Sequence, residues 1–182
     1  MIIKAIKTRI YKENEDLFEF ILEHIKNLRE ESVLVVTSKI VALGEGRTRM
    51  VKSKKEKEKI IKEESEFAIK TKWAWLTIKD GMVMASAGID ESNAKGKLIL
   101  LPKDSFKSAD LIRKKLKKIF KVKNLGILIT DSRIFPLRSG IVGVSVGYAG
   151  FKGVRDYRNT PDIFGRALKM SRTDIADSLA TS

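Results

Sequence analysis

The chain contains no cysteine, so disulfides and thiolate metal sites are excluded. It has one histidine, His24, in a stretch with helical apolar spacing. That leaves Ser-His-Asp, Cys-His and histidine-based metal schemes without their parts. Only three prolines and twelve glycines occur in 182 residues, which argues against long disordered tracts. No apolar run reaches the roughly eighteen residues of a membrane-spanning helix. The start, Met1-Ile2-Ile3-Lys4-Ala5-Ile6-Lys7, is too short and too interrupted for a signal peptide. A cytoplasmic location is therefore expected. No Gly-rich phosphate loop of the Walker type and no ordered dinucleotide fingerprint is present.

Positive charge is abundant. Lys and Arg number 37 against 23 Asp and Glu, a formal net charge of +14. Such a balance suits either a nucleic-acid partner or a lysine-rich solvated surface around a site for anionic small molecules. Stretches such as Lys52 to Lys62 mix lysine with glutamate, and no zinc knuckle, helix-turn-helix or RNA-binding aromatic pattern is found. The solvated surface is the preferred reading.

The pattern of apolar residues predicts interleaved strands and helices. Strands are expected at Ile2 to Ile10, Val33 to Thr37, Leu125 to Thr130 and Ile141 to Tyr148, and Lys97 to Leu101 is a further short apolar run closed by Pro102. Trp75 to Ile78 and Met82 to Met84 flank Asp80-Gly81, a favoured hairpin turn. Helical spacing predicts a first helix over Glu15 to Leu28 with Asn14 as its cap. Further helices are expected from Ser53 to about Lys72, from about Ser108 to Phe120, and from about Thr173 to Leu179. The spacing lacks the regular strand–helix–strand alternation of a doubly wound sheet, so the expected class is α+β, mixed sheets with packed helices.

Three apolar runs end on groups suited to phosphate and metal. Val33 to Val36 leads into Thr37-Ser38-Lys39; Met82 to Ala85 leads into Gly88-Ile89-Asp90-Glu91-Ser92-Asn93; Leu125 to Ile129 leads into Thr130-Asp131-Ser132. A lysine serves phosphate, and carboxylates with a hydroxyl serve a hard divalent cation. Each segment also has a plainer reading. Asp90 to Asn93 could be an Asx-turn closing a strand, and Lys39 could be simply solvated. Arg138, Arg155, Arg158 and Arg166 accompany Asp156, Tyr157 and Asp162 in the last third. They suit bidentate recognition of a carboxylate substrate, or pairing with those aspartates. The glycines of Gly147-Tyr148-Ala149-Gly150-Phe151-Lys152-Gly153 are read as serving tight turns or close packing.

In order along the chain, several segments together resemble the coenzyme F420-0:L-glutamate ligase family. They are Val35 to Val41, Glu45-Gly46-Arg47, Ala87 to Asn93, Leu101-Pro102, Thr130-Asp131-Ser132, Pro136, Arg138, Gly140, Gly147 to Gly153, Arg155 to Arg158, Phe164-Gly165-Arg166 and Ala176 to Ala180. Leu43 and Arg133-Ile134-Phe135 depart from the F420 pattern and resemble the folate metabolism γ-glutamate ligase branch. The resemblance implies a homodimeric α+β enzyme that joins L-glutamate to a folate- or F420-type carboxylate, using GTP or ATP and Mg²⁺ or Mn²⁺. It implies Asp90, Asp131 and Ser132 as metal ligands, and Ser38, Lys39 and Asn93 as nucleotide contacts. Arg138 and Arg155 are carried as substrate-binding candidates. Residues 1–182 are expected to form a single ligase-like unit lacking the family's C-terminal segment, which supplies another metal ligand. Two rival expectations follow: a non-catalytic nucleotide- or cofactor-binding relative, and a basic nucleic-acid-binding protein.

Overall fold

A computed structural model describes all 182 residues. In chain order its elements are α1 (Leu17–His24), β1 (Ser32–Thr37), α2 (Ser38–Gly44), β2 (Thr48–Met50), α3 (Lys54–Glu63), β3 (Phe67–Lys70), β4 (Trp75–Lys79) and β5 (Met82–Ala85). They continue with β6 (Lys97–Ile99), α4 (Ser105–Phe120), β7 (Leu125–Arg133), β8 (Val142–Ala149), β9 (Val154–Asp156), β10 (Arg172–Asp174) and α5 (Ile175–Thr181). The mixed α+β class expected from the sequence is the class observed.

The main sheet has the order β1-β7-β8. β1 lies parallel to β7, with Ser32 opposite Leu125 and Thr37 opposite Thr130. β8 returns antiparallel to β7, with an irregularity between Ile129 and Thr130. A second sheet, β3-β4-β5, is a meander, and β2–β6 and β9–β10 are short antiparallel pairs. Leu125 to Ile129 of β7 are buried without a break, as expected of a strand covered on both faces. Edge strand β1 alternates instead: Leu34 and Val36 are buried, while Val33 and Val35 are exposed. α1 and α4 cover one face, so that Ile21, Ile112 and Leu116 share a core with Leu34, Val36, Ile127, Ile129 and Val146.

Several boundaries differ from the sequence reading, each for a local reason. Ile2 to Ile10 forms no strand and is exposed, because no neighbouring strand pairs with it. Instead Arg9 pins this segment to α1 through ion pairs with Glu15 and Glu23. The first helix is capped by Asp16, whose carboxylate accepts the N–H groups of Phe18 and Glu19, and it ends at His24. Ile25 is buried and Leu28 packs on the same core, so their helical spacing reflects packing of extended chain. The charged helix starts where expected, at Lys54 with Ser53 as its cap, but it stops at Glu63; Phe67 to Lys70 pairs with β4, a tertiary override of helix propensity. Asp104 starts α4 at Ser105, and Asp174 starts α5 at Ile175. The helix α2 was not anticipated.

The Gly-rich run does serve close packing. A Cβ on Gly147 would lie 2.5 Å from the Ser105 backbone, and one on Gly153 would lie 2.1 Å from the Tyr148 ring. Replacing Gly147 by Ala should therefore force α4 away from β8 and lower stability by about 1–3 kcal/mol. Urea denaturation of the two proteins checks this, and an unchanged midpoint contradicts it.

Candidate functional site

The site grows out of the parallel pair. β1 ends at Thr37, opposite Thr130 of β7, and β7 runs on to Arg133 beside β8, so the next residues, Ser38 and Asp131, are neighbours. Ser38, the first residue of α2, is buried, and its hydroxyl donates to an Asp131 oxygen at 3.2 Å. Lys39 follows immediately, and its ammonium reaches the other aspartate. Its Nζ lies 2.6 Å from Asp90 Oδ2 and donates to the Ser92 carbonyl and hydroxyl, each at 3.0 Å. Two consecutive residues thus touch the two carboxylates singled out in the sequence.

Asp90 is held from three sides. Its backbone exchanges two hydrogen bonds with Ile99 of β6, at 2.9 and 2.8 Å. Its Oδ1 accepts the Ser92 N–H at 2.7 Å. The Asx-turn is therefore present, and it leaves Oδ2 for Lys39. Upstream, Ser86, Ala87 and Gly88 all take positive φ, at 49°, 57° and 69°. Consecutive left-handed residues other than glycine are strained, and such strain concentrates where a site demands it. Thr77 holds the turn: fully buried, its hydroxyl donates to the Met84 carbonyl at 2.7 Å and accepts the Ala87 N–H at 2.8 Å.

Arg133 joins the cluster, and the sequence reading had missed it as a site residue. Two positions after Asp131 on β7, it points to the same face. Its Nη2 stands 3.2 Å from Asp131 Oδ2. On the other side the guanidinium packs against Gly88, where an added Cβ would lie 3.3 Å from Nη1. The period-two spacing of Asp131 and Arg133 was the available signal.

The electrostatics are those of carboxylates already neutralised. Burial pushes the Asp90 carboxyl upward, but the Lys39 ammonium and the Ser92 donors outweigh it, and the net shift is below the usual carboxylate range. Burial pulls the Arg133 guanidinium down, with Asp131 opposing. No group of three His, Cys, Asp or Glu side chains converges anywhere in the chain. Two carboxylates fit Mg²⁺, which takes one or two of them together with water and substrate phosphate, rather than a cation caged by protein alone.

The remaining sequence candidates lie apart from these contacts. Ser132 is exposed and, by strand alternation, faces away from Asp131. Asn93 is exposed at φ 55° in the loop after Asp90. Arg138 sits in the exposed loop between β7 and β8, and Arg155 lies over the Tyr157 ring, 4.9 Å from its centre. Arg158 pairs with Asp156 at 2.6 Å, which realises the pairing alternative for that cluster. A groove of about 620 Å³ between α4, β8 and α5, bordered by Phe106, Tyr148 and Asp177, contains none of the candidate residues.

A model of the family described as F420-0:Gamma-glutamyl ligase matches residues 5–182. Among curated relatives, a coenzyme F420:L-glutamate ligase of Methanopyrus kandleri is 33% identical, with 96% of this chain and 76% of the relative aligned. The protein of the same name from Archaeoglobus fulgidus is 30% identical, over 94% of this chain and 75% of the relative. That of Methanococcus maripaludis is 43% identical, over 57% of this chain and 42% of the relative.

The strained turn yields a test. Replacing Thr77 by Val keeps its shape but strands the Met84 carbonyl and the Ala87 N–H inside the protein. The expected loss is about 1–3 kcal/mol of stability, together with faster hydrogen exchange at the Ala87 amide. Unchanged exchange at Ala87 contradicts the role given to Thr77.

Proposed function

The chain belongs to the F420-0:gamma-glutamyl ligase family, and from that membership and the paired carboxylates we propose that it uses a nucleoside triphosphate and a divalent cation to join L-glutamate to a cofactor carboxylate. The carrying observation is the Ser38-Lys39 step, which contacts Asp131 and Asp90 at once. In this reading the acceptor carboxylate attacks the γ-phosphate of GTP or ATP, forming an acyl phosphate and releasing the nucleoside diphosphate. The glutamate amine then displaces phosphate to form the amide, losing its proton to solvent. Mg²⁺ or Mn²⁺, when bound, offsets the charge that develops on the phosphate oxygens.

The protein's own part is positional. Asp90 and Asp131 present oxygens from two separate elements, and Ser38 keeps Asp131 oriented. Lys39, a mobile point charge, is placed to exchange Asp90 for a phosphate oxygen. Ser132 on β7 and Asn93 in the loop after Asp90 are the further metal and nucleotide candidates, while Arg138 and Arg155 stay candidates for the acceptor or glutamate carboxylates. The names of the relatives favour an F420-0-type acceptor. Leu43 and Arg133-Ile134-Phe135 favour a folate-type one. Assembly as a homodimer is part of the proposal, and the exposed apolar face of the β3-β4-β5 sheet, with Phe67, Ile69, Leu76 and Val83, is suited to it.

Phosphate release should require a nucleoside triphosphate, the metal, L-glutamate and one of the two acceptors together. Asp131→Asn should reduce turnover by at least about 100-fold, beyond what outer-sphere partners cause. Release without glutamate, or full turnover by the variant, contradicts the reading.

A further inference from the structure

Arg133 is the only charged residue in the chain that is buried, at 8% exposure. Its Nη2 lies close to Asp131 Oδ2, at 3.2 Å, yet that nitrogen completes no hydrogen bond. A pair kept only for structure would use the guanidinium fork, two parallel bonds to one carboxylate. This pair is offset: attraction holds it, but the donors are not aligned. A buried guanidinium with an open donor is short of an anion. Lys39 is different, because its ammonium is fully engaged by Asp90 and Ser92.

The other flank of the guanidinium is also informative. Nη1 rests on Gly88, which has φ 69° and no room for a side chain beside Leu101 and Arg133. Gly88 stands two residues before Asp90. Arg133 therefore lies between the carboxylate of Asp131 and the turn that leads to Asp90.

We propose that Arg133 is a positioning residue of the metal site: without metal it occupies Asp131 as an internal counter-cation, and when a divalent cation takes that carboxylate, the freed guanidinium donates to a phosphate oxygen. The inference rests on reading Asp131 as a metal-side carboxylate. A guanidinium and a divalent ion repel each other at one carboxylate, so metal entry displaces Arg133. Its five donors and planar fork then match the anion that the metal accompanies. A charge that merely braced the fold would be expected to have its buried donors satisfied, and Nη2 is not.

The test is a titration of Mn²⁺ alone into the full chain, with free metal followed by electron paramagnetic resonance. Arg133→Gln should bind Mn²⁺ about tenfold more tightly than the wild type, the scale on which outer-sphere partners alter metal affinity. Asp131→Asn should bind it more weakly, and Arg133→Lys, which keeps the charge, should stay near the wild type. Damage to a purely structural residue would weaken binding, so the direction separates the two roles. Unchanged or weaker binding by a folded Arg133→Gln, with Asp131→Asn still weakened, overturns the role of Arg133 and leaves the metal reading standing. Binding that ignores Asp131→Asn removes the metal reading and this inference together. Should Arg133→Gln not fold, the Arg133 side-chain nitrogen resonances of the wild type decide. They should shift on saturation with Mg²⁺, and resonances that stay fixed overturn the proposal.

Discussion

β1 and β7 run parallel, partner by partner, from Ser32 opposite Leu125 to Thr37 opposite Thr130, and the chemistry begins where that ladder stops. Because side chains alternate with period two, a slip of one residue would turn Asp131 away from Ser38. The slip is opposed by hydrophobic burial: Leu34 and Val36 enter the same core as Ile127 and Ile129, and the wrong register would put them on the outer face. The Ser38–Asp131 contact is therefore a consequence of how the core packs, some ninety residues of chain having been closed to form it. Everything else at the site is referred to this corner. Lys39 extends from it to Asp90, and Arg133 returns from β7 to meet the turn before Asp90.

Charge gives the corner its character. Each aspartate already carries a cation, Lys39 on Asp90 and Arg133 on Asp131, so the cluster is closer to neutral than its two carboxylates imply. The proposed metal–nucleotide ligand matches this arrangement, since it brings a cation for the carboxylates and an anion for Lys39 and Arg133. The +14 net charge fits this setting as a surface property. Lysines of the charged helix α3 pair with nearby acids, Lys59 with Glu63 and Lys57 with Glu91, and exposed pairs of this kind contribute little to stability. The surplus of positive charge sets up a field that attracts anions in general.

What was legible in the sequence was what local pattern governs. The continuous apolar run of β7, the Asp80-Gly81 hairpin and the start of the charged helix after Ser53 all stand where the pattern placed them, as does the end of β1 before Ser38 and Lys39; β7 runs three residues further than read, through Asp131. What escaped depended on distant partners. Ile2 to Ile10 has the alternation of a strand but no strand beside it. Phe67 to Lys70 reads as helix until β4 lies alongside. Ile25 and Leu28 keep helical spacing while packing as extended chain. Arg133 entered the sequence reading only within Arg133-Ile134-Phe135, because its burial beside Gly88 depends on residues remote in sequence. Thr77 was invisible for the same reason: only the Ser86–Gly88 turn makes its hydroxyl matter.

The central proposal is that Asp131, set beside Ser38 by the β1–β7 register, and Asp90, reached by the adjacent Lys39, serve one divalent cation. A crystal of the protein grown with Mn²⁺ and GDP, measured for anomalous scattering from manganese, tests it most directly. The account predicts a peak coordinated by oxygens of both aspartates, with Arg133 withdrawn from Asp131. A manganese peak bound elsewhere, or no peak at saturating Mn²⁺ while Lys39 and Arg133 keep their aspartates, would contradict it.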